Sequence, residues 1–169
     1  MTLWLKSWEH ALERLKKADQ PPRVAIMGIG HELNGDDAAG IVASRALQPR
    51  LADRSWLLVI DAGPAPENQT GPLRAFRPDL VLLIDAAQMN EPPGTVCWVD
   101  WQDTTGISAS SHTLPLYMLA KFLTFELGCE LGLLGIQPSQ NEIDSPLSPV
   151  VQQAVDEVVH GLSETLLGL

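Results

Sequence analysis

Gly28-Ile29-Gly30-His31-Glu32-Leu33-Asn34-Gly35-Asp36-Asp37-Ala38-Ala39-Gly40 joins the first uniformly apolar run of the chain to a helical pattern and sets two acids at the joint. Ahead of it, Val24-Ala25-Ile26-Met27 shows no polar alternation and reads as a short strand buried on both faces. Behind it, Ala38, Ile41, Val42, Ala46 and Leu47 recur at helical spacing. The glycines allow a tight exit from the strand. Asp36 stands where a helix N-cap is expected, and Asp37 falls in the first turn, at the positive end of the helix dipole.

Two further runs repeat the pattern of aliphatic residues ending in an acid: Trp56-Leu57-Leu58-Val59-Ile60-Asp61, followed by Ala62-Gly63-Pro64, and Leu80-Val81-Leu82-Leu83-Ile84-Asp85. Strands without alternation, separated by segments long enough for crossovers, predict a parallel sheet covered by helices on both faces. Ligands of such sheets bind beyond the carboxyl ends of the strands, where Gly28, Asp61 and Asp85 fall. Pro92-Pro93-Gly94 is too short a link for a crossover, so the strand formers at 95 to 101 are expected antiparallel or at an edge. Residues 102 to 111 read as a loop. Leu114 to Leu127 is strongly helical, with Pro115 tolerated in the first turn and Gly128 as its stop, which puts His112 just outside a helix N-terminus. Leu131 to Ile136 reads as a fifth strand whose glycines admit close backbone approach. A Pro/Ser loop over 137 to 149 and a helix from Val150 to Leu167 complete the chain. At the other end, Trp4, Leu5, Trp8, Ala11, Leu12 and Leu15 form the apolar stripe of an amphipathic helix over 2 to 18, ended by Gln20-Pro21-Pro22 and expected to pack onto the domain rather than dock a partner. We expect residues 1–22 to form this helix and a linker, and residues 23–169 to form one α/β domain.

Composition narrows the partners. A net charge of −10 over 169 residues repels nucleic acid and anionic membranes and suits a metal cation or a basic peptide. No run approaches membrane-spanning length and no signal peptide stands at the start, so a cytoplasmic monomer without membrane insertion is the expectation. Cys97 and Cys129 form no CxxC pair and read as buried thiols.

Asp37, Asp85 and His112 come from three separate joints at one expected sheet edge. Two carboxylates and an imidazole, with positions left open for water or substrate, suit nickel or zinc. Singly, each has an ordinary reading: a helix cap, a strand end, a histidine that satisfies a backbone group. His31 has a solvated loop as its ordinary reading and is the best candidate for an auxiliary ligand or proton carrier, because imidazole titrates near neutrality. Asp36 and Asp61 are placed to orient a ligand or a water. A dinucleotide site is the rival reading, since Gly28-x-Gly30 leads into a helix and Asp61 ends a later strand. Leu33 occupies the place of the third glycine, and Asp36-Asp37 set negative charge where a pyrophosphate docks. No G-x-S-x-G elbow supports a serine hydrolase.

Taken in order, Gly28-Ile29-Gly30, Gly35-Asp36-Asp37-Ala38-Ala39-Gly40, Asp61-Ala62-Gly63 with Ala65-Pro66-Glu67, Ile84-Asp85-Ala86, Pro93-Gly94, Ser111-His112-Thr113-Leu114-Pro115 and Gly135-Ile136-Gln137-Pro138 resemble the hydrogenase maturation proteases. Within them the hydrogen-evolving, membrane-bound hydrogenase branch is most similar, from about Val24 to the end. The resemblance implies a three-layer α/β/α fold, phosphorylase/hydrolase-like, with a mixed, mostly parallel five-stranded sheet. It also implies an endopeptidase that removes the C-terminal extension of a nickel-iron hydrogenase large-subunit precursor once nickel is inserted. Catalytic and metal-binding roles then fall on Asp37, Asp85 and His112, with Gly30, His31, Asp36, Asp61 and Gly63 on the substrate side and nickel supplied by the precursor. His31 departs from the family pattern, which has asparagine there, and the N-terminal helix lies outside the family core. A non-catalytic nickel-binding or chaperone module for hydrogenase assembly is the alternative, and a nucleotide-binding regulator the third.

Overall fold

The computed structural model describes residues 2–102, 108–109 and 116–169. Helix α1 (Leu3–Leu15) precedes β1 (Val24–Ile29), and a 3-10 turn at Gly35–Ala38 leads into α2 (Ala39–Leu51). Strand β2 (Leu57–Gly63) is followed by a 3-10 turn at Pro66–Gln69 and α3 (Thr70–Phe76), then β3 (Leu80–Gln88), β4 (Val96–Val99) and the two-residue β5 (Ser108–Ala109). Helix α4 (Leu116–Leu127), β6 (Glu130–Ile136) and α5 (Pro149–Leu167) complete the order.

The main sheet runs β2-β1-β3-β6-β4, with β4 antiparallel at one edge and its other pairs parallel. This is the mixed five-stranded sheet and the edge strand that the sequence implies. Alternate residues of each strand feed two cores. Val24, Ile26, Leu80, Leu82, Ile84, Leu134 and Ile136 pack with α1, α2 and α5, whereas Ala25, Met27, Ile29, Val81, Leu83 and Leu133 pack with α3 and α4. Both cores press on one sheet, which gives three layers. Gly132 and Gly135 are the predicted close approaches: a Cβ there would overlap the Trp98 ring and the Met89 sulfur.

Three local readings change. Asp36 does not cap α2, whose N-cap is Ala38 with no side-chain bond; a 3-10 turn takes up both acids first. Strand β3 does not stop at Asp85 but runs on to Gln88, where Ala87 and Gln88 pair with β5, so residues 108–109 are strand rather than loop. The N-terminal helix is shorter than the expected span of 2 to 18, while its expected packing onto the domain holds: Trp4, Trp8, Ala11 and Leu12 are buried in the α2/α5 core. Burying one such apolar side chain contributes about 2 kcal/mol, which explains why the amphipathic stripe docks. Among the described residues no helix is long and apolar enough to cross a membrane.

Candidate active site

Strand order locates the site. β1 has β2 on one side and β3 on the other, so the chain leaving β1 and the chain leaving β2 depart to opposite halves of the sheet. A crevice opens at the carboxyl ends of strands where that reversal occurs. Asp37, just after β1, and Asp85, near the end of β3, flank it.

Glycine packing draws the two together. A Cβ on Gly40 would overlap the carbonyl oxygens of Ile84 and Ile29, and one on Gly28 would overlap the Gly40 carbonyl, so the first turn of α2 lies directly on the strands. Gly30, at φ +149°, lies against the Asp37 carbonyl in the same way. Any side chain at these points would lift the helix, and with it Asp37, off β3. The 3-10 turn itself packs on β3, and both carboxylates are buried, Asp37 at 1% and Asp85 at 0% exposure. The space beside Gly30 that a pyrophosphate would need is thus filled by the chain's own backbone.

Asp36 has a different use. Oδ2 accepts from the Ser139 and Gln140 backbone N–H groups at 2.8 and 2.9 Å and from the Ser148 hydroxyl at 2.9 Å, while Oδ1 accepts from the Ser148 N–H at 2.6 Å. Its own N–H donates to the Gln140 carbonyl at 3.0 Å. Fully buried and accepting four hydrogen bonds, Asp36 ties the joint after β1 to the loop before α5. Gln137 performs a similar service for the crevice: Oε1 accepts from the Met89 N–H at 2.7 Å and the Glu91 N–H at 3.3 Å, and Nε2 donates to Gln88 Oε1 at 2.8 Å. It fixes the turn that leaves β3 at Met89 to Glu91, four to six residues beyond Asp85. Ser139, Gln140 and Ser148 carry no motif of their own, and only Gln137 lies in a stretch the sequence singles out.

Alternation decides where Asp61 points. Leu57 and Val59 face the α2 layer, so Asp61 does too, whereas Asp85 follows Val81 and Leu83 toward α3 and α4. The sheet stands between the two acids. Asp61 instead accepts from Arg45 Nε of α2 at 2.6 Å and from the Gly63 N–H at 3.2 Å, and Arg45 reaches Glu32 at 2.9 Å. His31, Glu32, Leu33, Ile41, Arg45, Asp61, Gly63 and Pro64 line a groove of about 260 Å³ beside the crevice. It gathers three of the residues expected on the substrate side. His31 Nδ1 accepts from the Leu33 N–H at 3.4 Å.

His112 lies outside the described residues. Among those residues no three His, Cys, Asp or Glu side chains form a group able to hold a metal ion. The described chain places α4, which begins four residues after His112, in the layer that Asp85 faces. Cys129 is buried as expected, whereas Cys97, on the edge strand β4, is half-buried: burial pushes the Cys129 thiol up to about 11, and burial followed by the Glu91 carboxylate raises Cys97, which disfavours thiolate at either.

The model of the hydrogenase maturation protease family matches residues 41–164. A Methanocaldococcus jannaschii protein bearing the family's name is 34% identical over 94% of this chain and 95% of its own length. The hydrogenase 3 maturation protease of Escherichia coli is 32% identical over 81% of this chain and 86% of its own. The crystal structure of a nickel-iron hydrogenase maturation protease from Thermococcus kodakarensis superposes with a TM-score of 0.83 at 28% identity, covering 95% of this chain and 98% of that one, so the match extends into α1. Fold and sequence agree over most of the length, and the chain belongs to the hydrogenase maturation protease family.

Proposed function

We propose that this endopeptidase removes the C-terminal extension of a nickel-loaded hydrogenase large-subunit precursor, acting as a cytoplasmic monomer, in the hydrogen-evolving branch of the family. The observation that carries the reading is the pair Asp37 and Asp85, brought by glycine packing to the crevice at the sheet's reversal in a chain of this family. The nickel belongs to the substrate. Held by the precursor's own thiolates, it takes Asp37, Asp85 and His112 as further ligands, so a precursor without metal is not engaged. Oxygen and nitrogen donors of this kind suit nickel.

Peptide hydrolysis needs water to add to the scissile carbonyl and a proton to reach the leaving amine. The substrate's metal, held against Asp37, Asp85 and His112, would polarise that carbonyl or acidify the water, and whichever of the Asp37 and Asp85 carboxylates was not engaged as a ligand would take the water's proton and pass it to the leaving amine. Binding one ion from the precursor thereby couples the test of maturation to the chemistry.

The test is direct. Purified protein mixed with nickel-loaded precursor should yield a product shortened by the extension, read by mass. Asp37→Ala and His112→Ala should each slow that conversion by at least about a hundredfold. An intact extension with wild-type protein, or full-rate cleavage by either variant, would overturn the reading; a stable complex without product would favour the chaperone alternative.

A further inference from the structure

Helix α4 has two apolar faces. Leu116, Leu119, Ala120 and Leu123 are buried under the sheet, while Met118, Phe122 and Phe125 form a second stripe at i, i+4 and i+7 that is 55%, 44% and 92% exposed. Fold stability does not need that second stripe, and solvating it is costly. The described elements of that layer are neutral: from Pro64 to Phe76 and along α4, which Arg74 and Glu126 join by an ion pair, Glu67 and Glu126 balance Arg74 and Lys121 in a chain whose net charge is −10. One side of an acidic molecule is therefore free of the repulsion that its remainder presents to another protein. Phe side chains bury roughly 200 Å² each, so these exposures leave roughly 400 Å² of apolar surface open, about half of what each partner contributes to a stable complex. That area is too small for a lasting dimer of two acidic chains and right for a surface that engages and releases.

We infer that the Met118-Phe122-Phe125 stripe is the docking surface for the folded body of the protein substrate, a neutral apolar patch on the precursor distinct from the segment that is cut. The inference rests on the function proposed above. Its place in the fold fits: α4 belongs to the layer that Asp85 faces and runs back from the carboxyl edge of the sheet, so a substrate seated on it reaches the crevice without crossing the acidic α1/α5 side.

Phe125→Ser and the double variant Phe122→Ser/Phe125→Ser should raise the precursor concentration for half-maximal cleavage by at least about tenfold per pair, and weaken precursor binding equally, with the saturated rate unchanged. Leu3→Ser, an exposed apolar site on α1, should change neither. Unchanged saturation and binding curves in the double variant would overturn the inference, as would a wild-type dimer that the variant dissociates. If wild-type protein binds precursor but does not cut it, cleavage falls and docking is still judged by the variants' binding; if it does neither, both fall.

Discussion

Asp36 and Asp37 are adjacent in sequence and opposite in use, because the side chains are claimed by different parts of the fold. Four donors on Ser139, Gln140 and Ser148 converge on Asp36 from more than a hundred residues away. No local pattern announces them, which is why the residue reads as a helix cap in the sequence. Asp36→Asn would turn an amide N–H toward backbone donors inside the protein, at a cost of about 3 kcal/mol. A thermal midpoint lower by roughly 6–12 °C is expected for a domain of this size, and an unchanged midpoint would show the clamp to be dispensable. The burial of Asp37 and Asp85 near the carboxyl edge of the sheet was legible because each follows a uniformly apolar run, although β3 runs three residues beyond Asp85. Cys129 gives a second expectation at this scale. Its folded value of about 11 lies above that of a free thiol, so the stability it contributes is whole below the unfolded value and is lost as pH rises through the folded one. At pH 8 native Cys129 should resist iodoacetamide, and mass spectrometry finding it alkylated as fast as a free thiol would contradict that burial.

Elements were legible wherever periodicity carried them, as in β1, β2, α4 and α5. Where backbone geometry decides, the pattern misled: the 3-10 turn before α2 and the overhang of β3 paired with β5 depend on contacts that single segments do not encode. The seat of α2 shows what was legible only in part. Gly28 and Gly40 suggest a tight turn, but their use is contact between helix and strands, with Ile84 pressed on Gly40. Gly40→Ala should destabilise by at least about 3 kcal/mol and abolish processing, since the methyl meets backbone that cannot yield; denaturant midpoints near wild type would refute this. The opposite edge of the sheet is tied by charge. Asp79, just before β3, accepts from Lys17 Nζ at 2.6 Å and from the Arg23 N–H at 2.8 Å, and Arg14 pairs with Glu130 at the start of β6. Burial alone would push the Asp79 carboxyl up, but Lys17 and the Arg23 N–H outweigh it and hold the carboxyl below its ordinary range. The folded form thus binds its proton later than the unfolded chain does, so this tie is present above about pH 4 and is lost as pH falls through the folded value. The stability gap between wild type and Asp79→Asn should accordingly narrow between pH 6 and pH 3. A gap of constant size would remove Asp79 from the acid response.

At the scale of the molecule, the prolines at 21 and 22 set α1 off from β1 along the chain, while the apolar stripe before them packs the helix onto the domain. Trp8 is wholly buried, and its indole N–H donates to the Thr165 hydroxyl of α5 at 2.7 Å, as the Trp4 indole does to Glu157 at 3.2 Å. A helix anchored by two tryptophans inside the core shared by α2 and α5 cannot leave without opening that core to water. The second core, under α3 and α4, uses the other faces of the same strands, so exposing one face removes support from its opposite. Such coupling predicts one cooperative transition. Tryptophan fluorescence, which samples Trp4 and Trp8 on α1 as well as Trp98 on β4, should change with denaturant at the same midpoint as the far-ultraviolet circular dichroism of the whole chain. Replacing both Trp4 and Trp8 with alanine should lower that midpoint by at least about 3 kcal/mol in stability while leaving the single transition intact, because each loss is a cavity in a common core. An early fluorescence step that leaves the circular dichroism of the remaining helices in place would instead make α1 an independent unit, and the three layers would then owe their stability to the sheet and α2 to α5 alone.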